Sequence, residues 1–111
     1  MINERLANDE DCKKHLPLNS QNLFTSLLDG VILCKLVNCA VPTTIDERVI
    51  NKKDDMNDLD KEDNINLAIS SSKAIGCQLN DVNTSTVINQ KKPAILNYLW
   101  QVLKVNYNLI S

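Results

Sequence analysis

Glycine and proline are scarce in this chain of 111 residues, which contains two glycines and three prolines. Strand-and-turn folds use many more of both, because hairpins and tight turns need the backbone angles that these residues favour. No segment alternates between polar and apolar residues for long enough to predict a strand. The sequence therefore predicts an all-α fold, and its length predicts one compact domain.

The residue patterns of metal sites and of cysteine enzymes are also missing. The one histidine is His15, and the four cysteines form no Cys-x-x-Cys pair. Structural zinc needs four nitrogen or sulfur ligands at short spacings, so we predict no metal and no cofactor. Catalysis by Cys34 or Cys39 is disfavoured, because a reactive thiolate needs an accessible, electropositive setting. With no signal peptide and no apolar run near 18 residues, we expect a cytoplasmic protein with reduced thiols.

Segment 54–63, DDMNDLDKED, is acidic but does not match a calcium-binding loop. If Asp58 is the first ligand, Asp63 stands where an EF-hand needs glycine and Ile69 where it needs a bidentate glutamate. A solvated connector that caps the next helix fits the segment better. No glycine-rich phosphate loop and no nucleophile motif are present, so the sequence does not predict an enzyme.

Charge is distributed unevenly along the chain. The net charge is −2, which does not favour nucleic acid as the main partner. Residues 46–63 hold eight acids and four bases, whereas the residues from Asn64 onward hold one acid and four lysines. The C-terminal part is therefore basic, which suits an acidic partner.

Apolar residues at steps of four predict a helical segment from Leu23 to about Asn38. Asp29-Gly30 interrupts this stripe. Either a short turn precedes a helix capped by Asp29, or one helix includes Gly30 where another backbone packs closely; we prefer the second. In segment 43–53, TTIDERVINKK, we expect three aliphatic side chains to point inward: Ile45, Val49 and Ile50.

A second helix is predicted after the acidic segment, with acids 60–63 near its start and Gly76 just past its end. Its inner face would contain five residues: Ile65, Ala68, Ile69, Ser72 and Ile75. Residues 82–90 predict one short turn of helix.

The last helix opens at Lys91-Lys92-Pro93 and has a narrow polar stripe of Asn97, Gln101, Lys104 and Asn108. Almost every other side chain in it is apolar. It is either the central helix of the core, which we prefer, or a helix that buries one side and offers the other to a partner. Trp100 is predicted as a core anchor.

Four stretches resemble the first calponin-homology domain of the fimbrin/plastin family of actin-bundling proteins. They are LFTSLLDGVILCKLVN (23–38), VPTTIDERVINKK (41–53), NINLAISSSKAIGC (64–77) and KKPAILNYLWQVLKV (91–105). The string Ile-Asp-Glu-Arg…Ile-Asn-Lys-Lys is the most specific of these. The resemblance extends from Ile2 to about Tyr107, with residues 2–18 similar to the end of the first helix and its following loop.

The resemblance implies a compact all-α domain over residues 1–111, with about four main helices, a central C-terminal helix and an incomplete first helix. It implies contact with F-actin through the first helix, the last helix and the loop after the Asp-Gly helix. Carried onto this sequence, the implied actin-binding residues are Lys52, Lys53, Lys91, Lys92, Gln101, Lys104, Val105 and Asn108.

The implied protein is a monomeric, non-catalytic module of an actin cross-linker in the actin cytoskeleton, followed by a second calponin-homology domain in its parent chain. Two departures weaken the expected contact. The Trp-Ile-Asn part of the first helix is missing, and acids at 54–58 follow Lys52 and Lys53, which opposes binding to an acidic filament. The alternative is an adaptor with the same fold that binds phosphoinositides or regulatory proteins through Lys91 and Lys92.

Overall fold

A computed structural model describes residues 6–7, 9–12, 16, 18–19, 21–53 and 55–110, with side chains up to Val105. Over these ranges the chain forms five α-helices and one 3-10 turn, and no strand. They are α1 (Leu23–Ser26), α2 (Val31–Ala40), the 3-10 turn Glu47–Val49, α3 (Asp58–Ala74), α4 (Thr84–Ile88) and α5 (Lys92–Ile110). The all-α prediction is confirmed. None of these helices combines the length and apolar character needed to cross a bilayer.

Asp29-Gly30 separates α1 from α2, so the single continuous helix that we preferred is wrong. Gly30 has a positive φ of 78°, a conformation that glycine adopts without a steric penalty. The predicted close approach of another backbone is nevertheless confirmed. A Cβ atom on Gly30 would lie 2.5 Å from Asn64 Cβ and 2.8 Å from the backbone nitrogen of Ile65.

Helix α2 packs against both α3 and α5 and is almost entirely buried. Eight of its ten residues are buried. Seven of the eight are apolar or small and contribute to one continuous core, while the eighth is Lys35. A buried lysine in such a helix needs charged partners, and these are described below with the candidate site.

Both ends of α3 are fixed by local hydrogen bonds. At its start, Asp60 N donates to Asn57 Oδ1 at 2.8 Å and Asn57 N donates to Asp60 Oδ2 at 3.4 Å, which forms a capping box. The helix therefore begins slightly earlier than the acids at 60–63 predicted. Gly76, with φ 107°, follows its end as predicted, and Cys77 N donates to Ser72 O at 3.0 Å. Four of the five predicted inner residues are buried, Ile65, Ala68, Ile69 and Ser72.

Helix α5 buries one side and exposes the other. Its inner residues are Ile95, Tyr98, Leu99, Val102 and Leu103. The hydroxyl of Tyr98 lies 2.9 Å from Ser72 Oγ on α3, and burial raises the pKa of this tyrosine. Trp100 is 58% exposed, so its prediction as a core anchor is wrong. Tyr98 faces the core. Trp100 is two residues further along the helix, which places its side chain about 200° around the helix axis from that of Tyr98.

The loop between α2 and α3 is held by two asparagine side chains. Asn38 donates to Ile45 O at 3.0 Å and accepts from Ile45 N at 2.8 Å. Asn64 is fully buried; it donates to Asp29 O at 2.9 Å and Asn51 O at 2.8 Å, and accepts from Asn51 N at 2.8 Å. These bonds satisfy backbone groups that have no helical partner.

Within the same loop, Ile45 and Ile50 are buried as predicted, but Val49 is 56% exposed. The prediction for Val49 is wrong because the 3-10 turn at Glu47–Val49 turns its side chain to the surface while its neighbour Ile50 packs inward.

Candidate interaction surface

The residues predicted to contact a partner lie in two separate parts of the fold. Six belong to α5 or the residue before it; of these, Lys91, Lys92 and Lys104 are exposed and Gln101 and Val105 are half-buried. The side chain of Asn108 lies outside the described residues. Lys52 and Lys53 belong to the loop between α2 and α3.

The outer face of α5, defined here as Lys92, Leu96, Trp100 and Lys104, runs along the exposed side of the helix in steps of four. All four side chains are exposed. Leu96 is 50% and Trp100 58% exposed, which places two large apolar side chains one turn apart between two lysines. Lys92 Nζ also lies 5.3 Å from the centre of the Phe24 ring. Sequence reasoning identified the lysines but missed Leu96 and Trp100, because the helix is apolar almost all round and gives no clear inner face.

The lysines of this face, and Lys91 beside it, have no acidic partner among the side chains that the structure describes. Their ammonium groups are therefore available to a negatively charged partner.

Gln101, in contrast, stabilises the fold through hydrogen bonds within the chain. Its side chain accepts from Gln78 N at 2.5 Å and donates to Gln78 O at 2.6 Å. This two-way pairing holds the segment after α3 against α5. Val105 packs against the core with part of its surface. These two predicted contact residues thus differ from the exposed lysines in what they already bind.

The lysines of the loop are engaged with acids of the same chain. Lys53 Nζ lies 3.0 Å from Asp60 Oδ2 at the start of α3, and this hydrogen bond raises the pKa of Lys53. Lys52 Nζ lies 3.2 Å from Asp11 Oδ2 and 3.3 Å from Glu47 Oε2. Only 29% of the Lys52 side chain is exposed.

Lys52 is part of a larger group that we call the Lys35 cluster: Lys35, Lys52, Asp9, Asp11 and Glu47. Lys35 is 5% exposed, and its Nζ lies 3.1 Å from Asp9, 3.0 Å from Asp11 and 2.6 Å from Glu47. Burial acts to lower the pKa of Lys35, but hydrogen bonds to the three acids raise it above the ordinary lysine value. The hydrogen bond from Lys35, helped by that from Lys52, holds the pKa of Asp11 below its usual range.

Sequence reasoning missed this cluster, although one signal was present. A lysine at an inner position of the apolar run VILCKLV indicates a buried charge that must be paired. Its partners could not be identified from the sequence, because they come from two other segments of the chain.

Three of the four cysteine thiols lie in settings that disfavour the thiolate. Burial raises the pKa of Cys12 and of Cys34 to about 12, and burial also raises the pKa of Cys77. These thiols stay protonated at neutral pH, which does not suit a nucleophile. Among the residues with described positions, no group of three or more acidic, cysteine or histidine side chains could hold a metal ion.

Three comparisons relate this chain to known proteins. The sequence model of the calponin homology (CH) domain matches residues 2–108. Human Plastin-1 is 44% identical over 106 residues, which cover 94% of this chain and 17% of Plastin-1. Human Plastin-3 is 41% and zebrafish Plastin-2 40% identical over the same length. The chain thus spans about a sixth of the length of these relatives.

The fold is also similar to a solved structure. The crystal structure of the actin-crosslinking core of Schizosaccharomyces pombe fimbrin superimposes with a TM-score of 0.89 at 34% sequence identity. The match covers 95% of this chain and 23% of the fimbrin chain. None of the relatives named here carries the name of an enzyme.

Proposed function

Since this chain belongs to the calponin homology domain family, we propose that it is an F-actin-binding module of a fimbrin/plastin-like filament cross-linking protein. The observation that carries the proposal is the outer face of α5, where Leu96 and Trp100 are exposed between two lysines. The similarity to the actin-crosslinking core of fimbrin supports the choice of partner.

The chemistry of the outer face suits a protein surface that is acidic and partly apolar. A large aromatic side chain that becomes buried on binding is a frequent source of binding energy, and tryptophan is enriched among such residues. Lysines around it attract an acidic filament from a distance and favour the correct orientation. Lys91, Lys92 and Lys104 thus steer the encounter, and Leu96 and Trp100 provide the area that is buried.

The loop contributes less in this proposal. Lys53 is paired with Asp60, and Lys52 is paired with Asp11 and Glu47, so a filament would have to replace these partners. In this proposal Gln101 does not contact actin; it stabilises the domain through its two hydrogen bonds to the backbone of Gln78.

The proposed module is a single CH domain that acts as a monomer in the cytoplasm. Because the chain spans 17% of Plastin-1, cross-linking itself would depend on the parent protein, with a second CH domain next to this one. Phosphoinositide binding at Lys91 and Lys92 is the alternative, and similarity to plastins and fimbrin does not favour it.

Co-sedimentation of the chain with actin filaments tests the proposal. We expect Trp100→Ala to weaken binding about tenfold or more, as for a buried aromatic contact. Lys91→Glu and Lys104→Glu should each weaken it several-fold and should reduce its dependence on salt.

Two matched variants serve as controls. Leu59→Ala removes another exposed apolar side chain, 64% exposed on α3, and Lys73→Glu reverses another exposed lysine. Both should bind as the unchanged chain does. Equal losses for the control and the α5 variants would contradict the outer face as the contact. Binding to phosphoinositide vesicles but not to filaments would support the alternative instead.

A further inference from the structure

Lys52 is held by two carboxylates that are fixed in place by a different lysine. Its Nζ lies 3.2 Å from Asp11 and 3.3 Å from Glu47. The same two acids contact Lys35 at 3.0 Å and 2.6 Å. Lys35 is almost completely buried, and a buried ammonium group keeps its partners because losing one is costly.

The two acids are therefore positioned whether or not Lys52 binds them. They come from different segments, Asp11 from the part before α1 and Glu47 from the 3-10 turn, and both contact Lys35 Nζ. Lys52 thus binds two carboxylates of its own chain that Lys35 already holds in place. An acidic partner would also offer carboxylates to Lys52.

We propose that Asp11 and Glu47 compete with the acidic filament for Lys52 and thereby weaken its binding, as an autoinhibitory contact. This inference rests on the proposed function and adds a form of regulation to it. Lys104 makes no such contact among the described side chains, so the competition is specific to the loop.

The expected size of the effect is modest. Lys52 is 29% exposed, Asp11 35% and Glu47 49%, so water screens these pairs and each contributes little. Releasing Lys52 should strengthen filament binding by about two- to fivefold.

Asp11→Asn is the variant that tests the competition, and Asp9→Asn is its matched control. Both remove one negative charge from neighbouring parts of the chain, and both remove a contact to Lys35, which lies 3.0 Å from Asp11 and 3.1 Å from Asp9. Asp9 forms no ion pair with Lys52 among the described contacts. We expect Asp11→Asn to lower the Kd for filaments by about two- to fivefold, and Asp9→Asn to leave it near that of the unchanged chain.

Two further variants make the test specific to Lys52. Glu47→Gln should strengthen binding in the same way as Asp11→Asn, since Glu47 is the other partner of Lys52. In a Lys52→Gln background, Asp11→Asn should produce no gain. A gain that persists without Lys52, or an equal gain for Asp9→Asn and Asp11→Asn, overturns the proposal.

A measurement without actin separates this inference from the proposed function. The rate of acylation of each lysine by a water-soluble amine reagent, followed by mass spectrometry, reports how available its amine is. Asp11→Asn and Glu47→Gln should raise the rate at Lys52 and leave the rate at Lys104 unchanged. If the rate at Lys52 does not rise, the competition is overturned even where filaments bind. If the rate rises but no variant binds filaments, the proposed function fails and the internal contact stands.

Discussion

The outer face of α5 and the loop of residues 46–53 both carry lysines, yet the two regions use them differently. On α5, Lys92 and Lys104 are exposed and flank exposed apolar side chains. In the loop, Lys52 and Lys53 are each paired with acids of the same chain. Positive charge in a sequence therefore does not equal positive charge that a partner can reach.

The difference has a physical cause in how the two regions are built. Helix α5 satisfies its own backbone, so its outer side chains are left to the solvent. The loop has no such internal bonding over most of its length, and it is held by side chains such as Asn38 and Asn64 and by the Lys35 cluster. The polar groups of the loop are therefore engaged in contacts within the chain, and a partner has to displace these contacts to bind them.

The largest effect is expected for Lys35→Met, which tests the structural role of the loop charges. The change leaves Asp9, Asp11 and Glu47 close together with one partly exposed lysine to balance them. Removing one partner from a buried ion pair costs about 3–5 kcal/mol, and the partial exposure of these acids reduces this to about 2–4 kcal/mol. Urea denaturation followed by circular dichroism measures the loss.

Lys52→Met is the control for this experiment, because it removes the half-exposed lysine of the same cluster. It should cost less than about 1 kcal/mol. If both variants lose the same stability, Lys35 does not hold the cluster together, and the loop charges are not fixed by a buried lysine.

A smaller effect on stability is expected for Gln101→Ala. This variant tests whether Gln101, unlike the exposed lysines of α5, stabilises the fold and does not contact the filament. The substitution removes both hydrogen bonds to Gln78 on an exposed part of the surface. We expect a loss of about 1 kcal/mol in the free energy of unfolding, since water can replace part of what is lost. Filament binding should change by less than twofold.

Asn97→Ala, one turn before Gln101 and exposed, is a suitable control and should leave the free energy of unfolding unchanged within about 0.5 kcal/mol. A large loss of filament binding in Gln101→Ala without loss of stability would mean that Gln101 touches the filament directly.

The helices could be predicted from the sequence because their signals are local. Apolar residues at steps of four marked the region of α1 and α2, a narrow polar stripe after Pro93 marked α5, and Gly76 marked the end of α3. The outward position of Trp100 could not be predicted, because an almost uniformly apolar helix has no pattern that identifies its inner side.

The partners of Lys35 and Asn64 could not be predicted either. Asn64 bonds to Asp29, 35 residues away, and Lys35 meets Glu47 from a separate turn. Contacts of this kind depend on the tertiary arrangement, and residue types alone do not fix them. The sequence therefore identified the lysines of the candidate site but did not separate those that are exposed from those that are engaged.

The smallest effect is the dependence of stability on pH, which reports on the Lys35 cluster without disrupting it. The folded-state pKa of Asp11 is lower than the usual aspartate value of 3.8, first because of Lys35 and then because of Lys52. The stability that Asp11 contributes is therefore fully present above pH 3.8. It is lost as the pH falls through the folded-state pKa of Asp11, because the unfolded chain binds the proton more readily.

The opposite sign applies to Lys35, whose pKa is raised above 10.5. The stability that Lys35 contributes is present below pH 10.5 and is lost as the pH rises through the folded-state pKa of Lys35. We therefore expect the free energy of unfolding to be flat, as far as this cluster is concerned, between about pH 5 and pH 9, and to fall on both sides. Asp11→Asn should make the acid side less steep than in the unchanged chain. Equal acid slopes in Asp11→Asn and in the unchanged chain would show that the Asp11 carboxylate is as well stabilised in the unfolded chain as beside Lys35. The loop charges would then be no more engaged than those of α5.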